Sequence, residues 1–217
     1  MKKLLLYPIT CLTLAFGATQ AQAQSDSPIT IGPKLGLAYT WIGYDGEDAP
    51  DNQNGRIGLQ AGGFITYSTE SLLGFTAEVM YSGKGTSYDV GSLKIRQNLH
   101  YVDIPLMARI FFNHTGALRP NFFIGPSLNF LVKAEGDVSN GTSNDTQLED
   151  FTKDCNSFEF GGVAGLGLNI KTMGTQWLNF DVRYNMGFTN YNKTADGVDL
   201  DGRNNGVVLS VGYGFGL

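Results

Sequence analysis

The chain has 217 residues, of which 16% are charged, and a formal net charge of -5. An acidic balance with so few basic residues excludes nucleic acid as a partner, because neutralising phosphates needs clustered Lys and Arg. Its 29 glycines and 12% aromatic residues suit strands that approach one another closely and carry aromatic belts.

The first element in chain order reads as a secretory signal peptide over residues 1–23. Lys2 and Lys3 make a basic start, Leu4 to Gly17 is an apolar stretch too short to span a bilayer, and Ala21-Gln22-Ala23 offers the small residues of a cleavage site. Cys11 lies inside the apolar stretch, which argues against a lipoprotein acceptor. The domain that remains, residues 24–217, keeps 13 basic and 20 acidic side chains, a charge of -7. Cys155 is then its only thiol, so no intramolecular disulfide is expected despite export.

Eight runs of period-two alternation follow. The first two carry Leu35, Leu37, Tyr39 and Trp41, then Ile57, Leu59, Ala61, Ile65 and Tyr67, on one face. In the third, Phe75, Ala77, Val79 and Tyr81 oppose Thr76, Glu78 and Ser82, and in the fourth Val102 to Phe112 oppose Tyr101, Asp103, Met107 and Arg109. The fifth sets Phe122, Ile124, Leu128, Phe130 and Val132 against Gly125, Ser127, Asn129 and Lys133. The sixth sets Phe158, Phe160, Ala164, Leu166, Leu168 and Ile170 against Glu159, Gly161, Gly165, Gly167 and Asn169. The last two are the clearest: Leu178 to Phe188 against Asn179, Asp181, Arg183 and Asn185, and Val207 to Leu217 against Gly206, Ser210, Gly212, Gly214 and Gly216.

Connections between these runs alternate in length: long at 43–55, 83–95, 135–157 and 192–204, short at 68–73, 113–118 and 171–176. That rhythm points to an all-β fold, an eight-stranded antiparallel up-and-down transmembrane β-barrel in the outer membrane of a Gram-negative bacterium, with short turns in the periplasm and long loops outside. A soluble lipocalin-like barrel would turn its apolar face inward and its polar face to water. Here the polar phase is too rich in glycine and too poor in charge for a solvated face, whereas small residues fit a crowded interior.

With the apolar phase toward lipid, the opposite phase lists the lumen charges: Lys34, Glu78, Asp103, Arg109, Lys133, Glu159, Asp181 and Arg183. Four are basic and four acidic, so a hydrogen-bonded ion network that holds the lumen shut is expected, rather than an ion path or a wide pore. Acidic residues also gather in the long loops: Asp45, Glu47, Asp48 and Asp51; Asp137, Asp145, Glu149, Asp150 and Asp154; Asp196, Asp199 and Asp201. Oxygen-rich loops suit divalent cations bridging to lipopolysaccharide, but solvated, flexible loops are the favoured explanation, and Asp199-Leu200-Asp201-Gly202 lacks the spacing of a calcium loop. Enzyme chemistry is thinly supported. His100 shares the outward phase of Val102 but has no serine two residues away, and His114 falls in a turn. Neither a catalytic residue nor a cofactor or metal site is expected.

The run Leu99-His100-Tyr101-Val102-Asp103-Ile104-Pro105-Leu106-Met107-Ala108-Arg109, followed by Arg119-Pro120-Asn121-Phe122-Phe123-Ile124-Gly125-Pro126-Ser127-Leu128, resembles paired strands of the PorT-like family of outer-membrane β-barrels. Gly32-Pro33-Lys34-Leu35-Gly36-Leu37 and Asp181-Val182-Arg183-Tyr184 extend the resemblance over nearly all of the exported part, although the chain closes on Leu217 rather than on an aromatic residue. Pro105 and Pro126 remove ladder donors, so each suggests a bulge or a break in pairing. The resemblance implies a small envelope barrel with a structural or interaction role. It also implies outer-membrane lipid, lipopolysaccharide and the barrel assembly machinery as partners, with envelope or secretion proteins beyond them. Alternatives are an accessory factor of type IX-like protein secretion, a lipid-modifying enzyme or a small pore.

Overall fold

The computed structural model describes residues 27–44, 53–69, 71–91, 93–113, 116–140, 143–193 and 202–217, with backbone alone for 90, 140 and 143–149. The expected leader over 1–23 lies outside the described residues. So do His114 and the loop acids Asp45, Glu47, Asp48, Asp51, Asp196, Asp199 and Asp201.

Among the described residues nine strands form: β1 (Ile29–Tyr44), β2 (Gln53–Ser68), β3 (Leu73–Val90), β4 (Leu93–Phe111), β5 (Leu118–Asn140), β6 (Ser143–Asp150), β7 (Phe158–Lys171), β8 (Gln176–Gly187) and β9 (Gly202–Gly216). Eight of them close an antiparallel up-and-down ring, β1-β2-β3-β4-β5-β7-β8-β9, and β6 pairs only with the far half of β5. The ring is sealed by β1 against β9, from Thr30 opposite Gly216 to Tyr44 opposite Gly202. Every strand of the ring therefore has a neighbour on both sides, which satisfies its backbone groups without water.

Alternation has the expected sense. Leu35, Leu37, Leu59, Val79, Leu106, Ile124, Leu166, Val182 and Leu209 are all exposed, while Lys34, Glu78, Asp103, Arg109, Glu159, Asp181 and Arg183 are buried. The outer band carries aromatic pairs toward the long-loop end: Tyr39 with Trp41, Trp41 with Tyr184, Phe130 with Phe158 and Phe160 with Phe188, at centroid distances of 5.3–6.1 Å. Rings at such a level fit the boundary between hydrocarbon and water.

The connections expected at 83–95 and 135–157 are largely strand. β3 and β4 remain paired as far as Val90 opposite Leu93, where Gly91 turns the chain at φ 63°. That left-handed conformation suits glycine. β5 and β6 make a second hairpin, pairing Glu135 with Asp150 and Asp137 with Leu148. These extensions lie beyond the apolar band, so their outer face needs no hydrophobic residues and the alternation becomes invisible. β6 and β7 lie end to end along β5, and the chain between them, with a 3₁₀ turn at Thr152–Asp154, leaves the strand line.

Pro105 and Pro126 act differently from a bulge. The β4–β5 register passes from Pro105 opposite Ser127 to Ala108 opposite Ile124 without a shift, but the two pairs between them are missing from the ladder. Gly125 belongs to this break, because a Cβ on it would stand 1.9 Å from the Leu106 carbonyl oxygen. The actual bulge lies higher, where His100 opposes Lys133 but Tyr101 opposes Leu131.

Candidate functional site

The bulge decides which charges reach the lumen. Skipping Val132 reverses the phase of β5 beyond it, so Lys133 points outward, half exposed, and pairs with Glu135. The lumen assignment of Lys133 is thus corrected. Its place is taken by Lys84 of β3, which is buried and donates to Asp103 Oδ1 at 2.9 Å. Lys84 shares the phase of Glu78 and Ser82, and following that alternation two residues further would have found it.

The interior charges fall into two groups. Nearer the short turns, Lys34 donates to Glu78 Oε1 at 2.6 Å and to Asp181 Oδ2 at 2.5 Å. Arg109 grips both oxygens of Asp181, at 3.0 and 2.7 Å, and Arg183 reaches Glu78 Oε2 at 2.6 Å. Neutral groups complete the shell: Thr76 and Asn121 accept from Arg109, and Gln60 accepts from Arg183. Aromatic faces cover two cations, with Arg109 stacked 4.4 Å from the Phe123 ring centre and Lys34 6.0 Å from that of Phe64. Gly167 is required here, since a Cβ would stand 2.5 Å from Asp181 Oδ1 and 2.6 Å from Asn121 Oδ1.

Nearer the long loops, Lys84 lies over the Tyr101 ring at 4.6 Å, Tyr101 donates its hydroxyl to Glu159, and Asn204 donates to both Glu159 oxygens at 2.9 and 3.1 Å. Above this group the mouth is apolar. Ile42, Leu99, Tyr101, Ala134, Cys155 and Tyr191 form one buried cluster, with Tyr44, Leu131 and Phe151 packed against it. The segment between β6 and β7 therefore turns inward and delivers Cys155 into the barrel mouth. Asn156 secures it by donating to the carbonyls of Asn190 and Asn192 at 2.9 and 3.0 Å. Burial pushes the Cys155 thiol up to about 11. On the same rim the Tyr44 and Tyr88 hydroxyls lie 2.6 Å apart, and burial with that bond holds Tyr88 above the ordinary tyrosine range.

The remaining candidate residues are engaged locally. His100 faces outward, stacked on Tyr81, with Nδ1 3.0 Å from the Tyr81 hydroxyl and Nε2 3.9 Å from Glu135. Among the loop acids, Asp137 accepts from Asn98 at 3.0 Å and Asp150 from the Thr152 amide at 3.0 Å. Asp154 is exposed.

The family described as outer membrane protein beta-barrel domain matches residues 20–192. Among solved structures, the chain is similar to Neisserial surface protein A, at 14% identity over 89% of this chain and 100% of that one, with a TM-score of 0.55. It is also similar to a major outer membrane protein from Thermus thermophilus (13% identity, 86% and 98% covered, TM-score 0.49). OprG from Pseudomonas aeruginosa gives 12% identity, 90% and 98% covered, and a TM-score of 0.46. No curated protein sequence matches the chain.

Proposed function

The chain belongs to the outer membrane protein beta-barrel domain family, and on that premise we propose that it is a closed barrel whose work is done by the sheet it raises beyond the membrane rather than by passage through its centre. The observation that carries this reading is the continuation of β3 and β4 past Tyr81 and His100, where the apolar band ends. β3 runs nine residues further, to Val90, which is about 30 Å of strand. β5 and β6 extend the same sheet, and their pairing brings Glu135, Asp137, Glu149 and Asp150 into one short stretch. With the short turns in the periplasm, this acidic sheet stands outside the cell, where it meets lipopolysaccharide, divalent cations or envelope proteins. The lumen supports the reading from the other side, since its ion network and apolar mouth leave little room for a path.

Shortening the β3–β4 hairpin by removing residues 86–95 tests the proposal. The shortened protein should still insert and show heat-modifiable migration, yet fail to restore the envelope barrier of a deletion strain, read as vancomycin sensitivity. Full restoration by the shortened protein would assign the work to the barrel body instead.

A second reading rests on the PorT-like strands at Leu99 to Arg109 and Arg119 to Leu128. As an accessory factor in protein secretion, the chain would be needed for export, and its deletion would leave cargo precursors in the periplasm. An unchanged secretome would remove this reading.

A further inference from the structure

We propose that the lumen binds one small monovalent anion, chloride under ordinary conditions, between Arg183 and Gln60. The charges of the lower group do not balance. Among the described residues, Lys34, Arg109 and Arg183 share Glu78 and Asp181 as their only carboxylate partners, so this group of buried ions carries one positive charge in excess. In the group above it, Lys84 pairs with Asp103 at 2.9 Å and Glu159 accepts from Tyr101 and Asn204, so neither carboxylate is in contact with the lower group. An excess charge interacts strongly inside a low-dielectric barrel and is stabilised by a counter-ion at contact distance.

Hydrogen bonding at the same place is incomplete as well. Among the described residues, Arg183 Nε and Gln60 Nε2 are buried donors without an acceptor. Their residues are 2% and 1% exposed. The Gln60 amide cannot be turned over to relieve this, because its Oε1 already accepts from Arg183 NH2 at 3.0 Å. Both donors sit on side chains already joined by the Arg183–Gln60 hydrogen bond, and the proposed ion accepts from both. Ser82 and Ser210 supply further donors at the same level. Ser82 is opposite Gln60 in the β2–β3 ladder, Ser210 is opposite Gly36, and both hydroxyls lack a partner among the described residues. These residues thus offer donors and an excess cation together, which is the chemistry of an anion site. A water would satisfy the N–H groups but not the charge.

Crystals of the full mature barrel grown in sodium bromide test this through bromide anomalous scattering. A peak is expected within hydrogen-bonding reach of both Arg183 Nε and Gln60 Nε2. Gln60→Glu supplies the missing charge from the protein itself and should abolish that peak. It should also remove any difference in unfolding midpoint between chloride and gluconate, a difference the unaltered barrel should show. Ordered water without bromide in the unaltered protein would overturn the proposal and leave the excess charge to the upper group. A peak that persists in Gln60→Glu would mark an adventitious ion only and overturn it equally.

Discussion

Arg109 of β4 and Asp181 of β8 face each other as a two-point pair inside the barrel, NH1 to Oδ1 at 3.0 Å and NH2 to Oδ2 at 2.7 Å. No ladder joins these strands, so the pair is a strut between walls that the backbone leaves unconnected. Both groups are buried, and such a geometry gives strength that depends on both partners being present.

Removing Asp181 alone should therefore be costly. Asp181→Ala leaves Arg109 and Lys34 buried with a single carboxylate, Glu78, and should destabilise the barrel by about 3–5 kcal/mol. Urea unfolding in lipid vesicles, followed by tryptophan fluorescence, measures it. The double change Arg109→Met with Asp181→Met should lose less than the sum of the two single changes, and strict additivity would show that the strut is not coupled.

Gly167→Ala should disturb the same network without altering any charge. The added methyl would meet Asp181 and Asn121 oxygens and the Arg109 guanidinium nitrogen, 2.9 Å away, and must push one of them aside. A loss of about 1–3 kcal/mol is expected, with Gly83→Ala, a strand glycine whose added methyl would come no nearer than 3.7 Å to any neighbour, as the control for losing a glycine at all.

Lys84 and Lys133 should respond oppositely to truncation. Lys84→Ala strands Asp103 in the lumen and should cost roughly 3 kcal/mol. Lys133→Ala removes an exposed side chain and should leave the unfolding midpoint where it is. Equal effects at the two positions would contradict the phase reversal at the His100 bulge.

Cys155 should be shielded while the barrel is folded. Its thiol lies in the mouth cluster and is raised from 9.0 to about 11, so maleimide labelling of the native protein should be slow at neutral pH and fast after unfolding. The sign follows for stability: the unfolded chain releases this proton near pH 9 and the folded chain near 11, so stability should fall as pH rises between those values. Cys155→Ser should flatten that fall.

The barrel is legible in the sequence because lipid on one side and a crowded lumen on the other impose a strict period of two on each strand. Seven of the eight charges assigned to the lumen are buried. Lys133 is the exception because a bulge leaves no mark on alternation until the pairing partner is known. Lys84 escapes for a different reason: it lies where β3 leaves the apolar band, so its strand loses its apolar phase and only the buried phase of Glu78 and Ser82, carried two residues further, leads to it. The mouth cluster could not be read at all, since Cys155 and Tyr191 meet Ile42 only through the closed ring.

Single-channel recording of the purified mature barrel in planar bilayers tests the closed lumen most directly. A flat current at both polarities is expected for the unaltered protein, with discrete events appearing only when Glu78 or Asp181 is removed. Steady ohmic steps from the unaltered barrel would contradict a closed lumen.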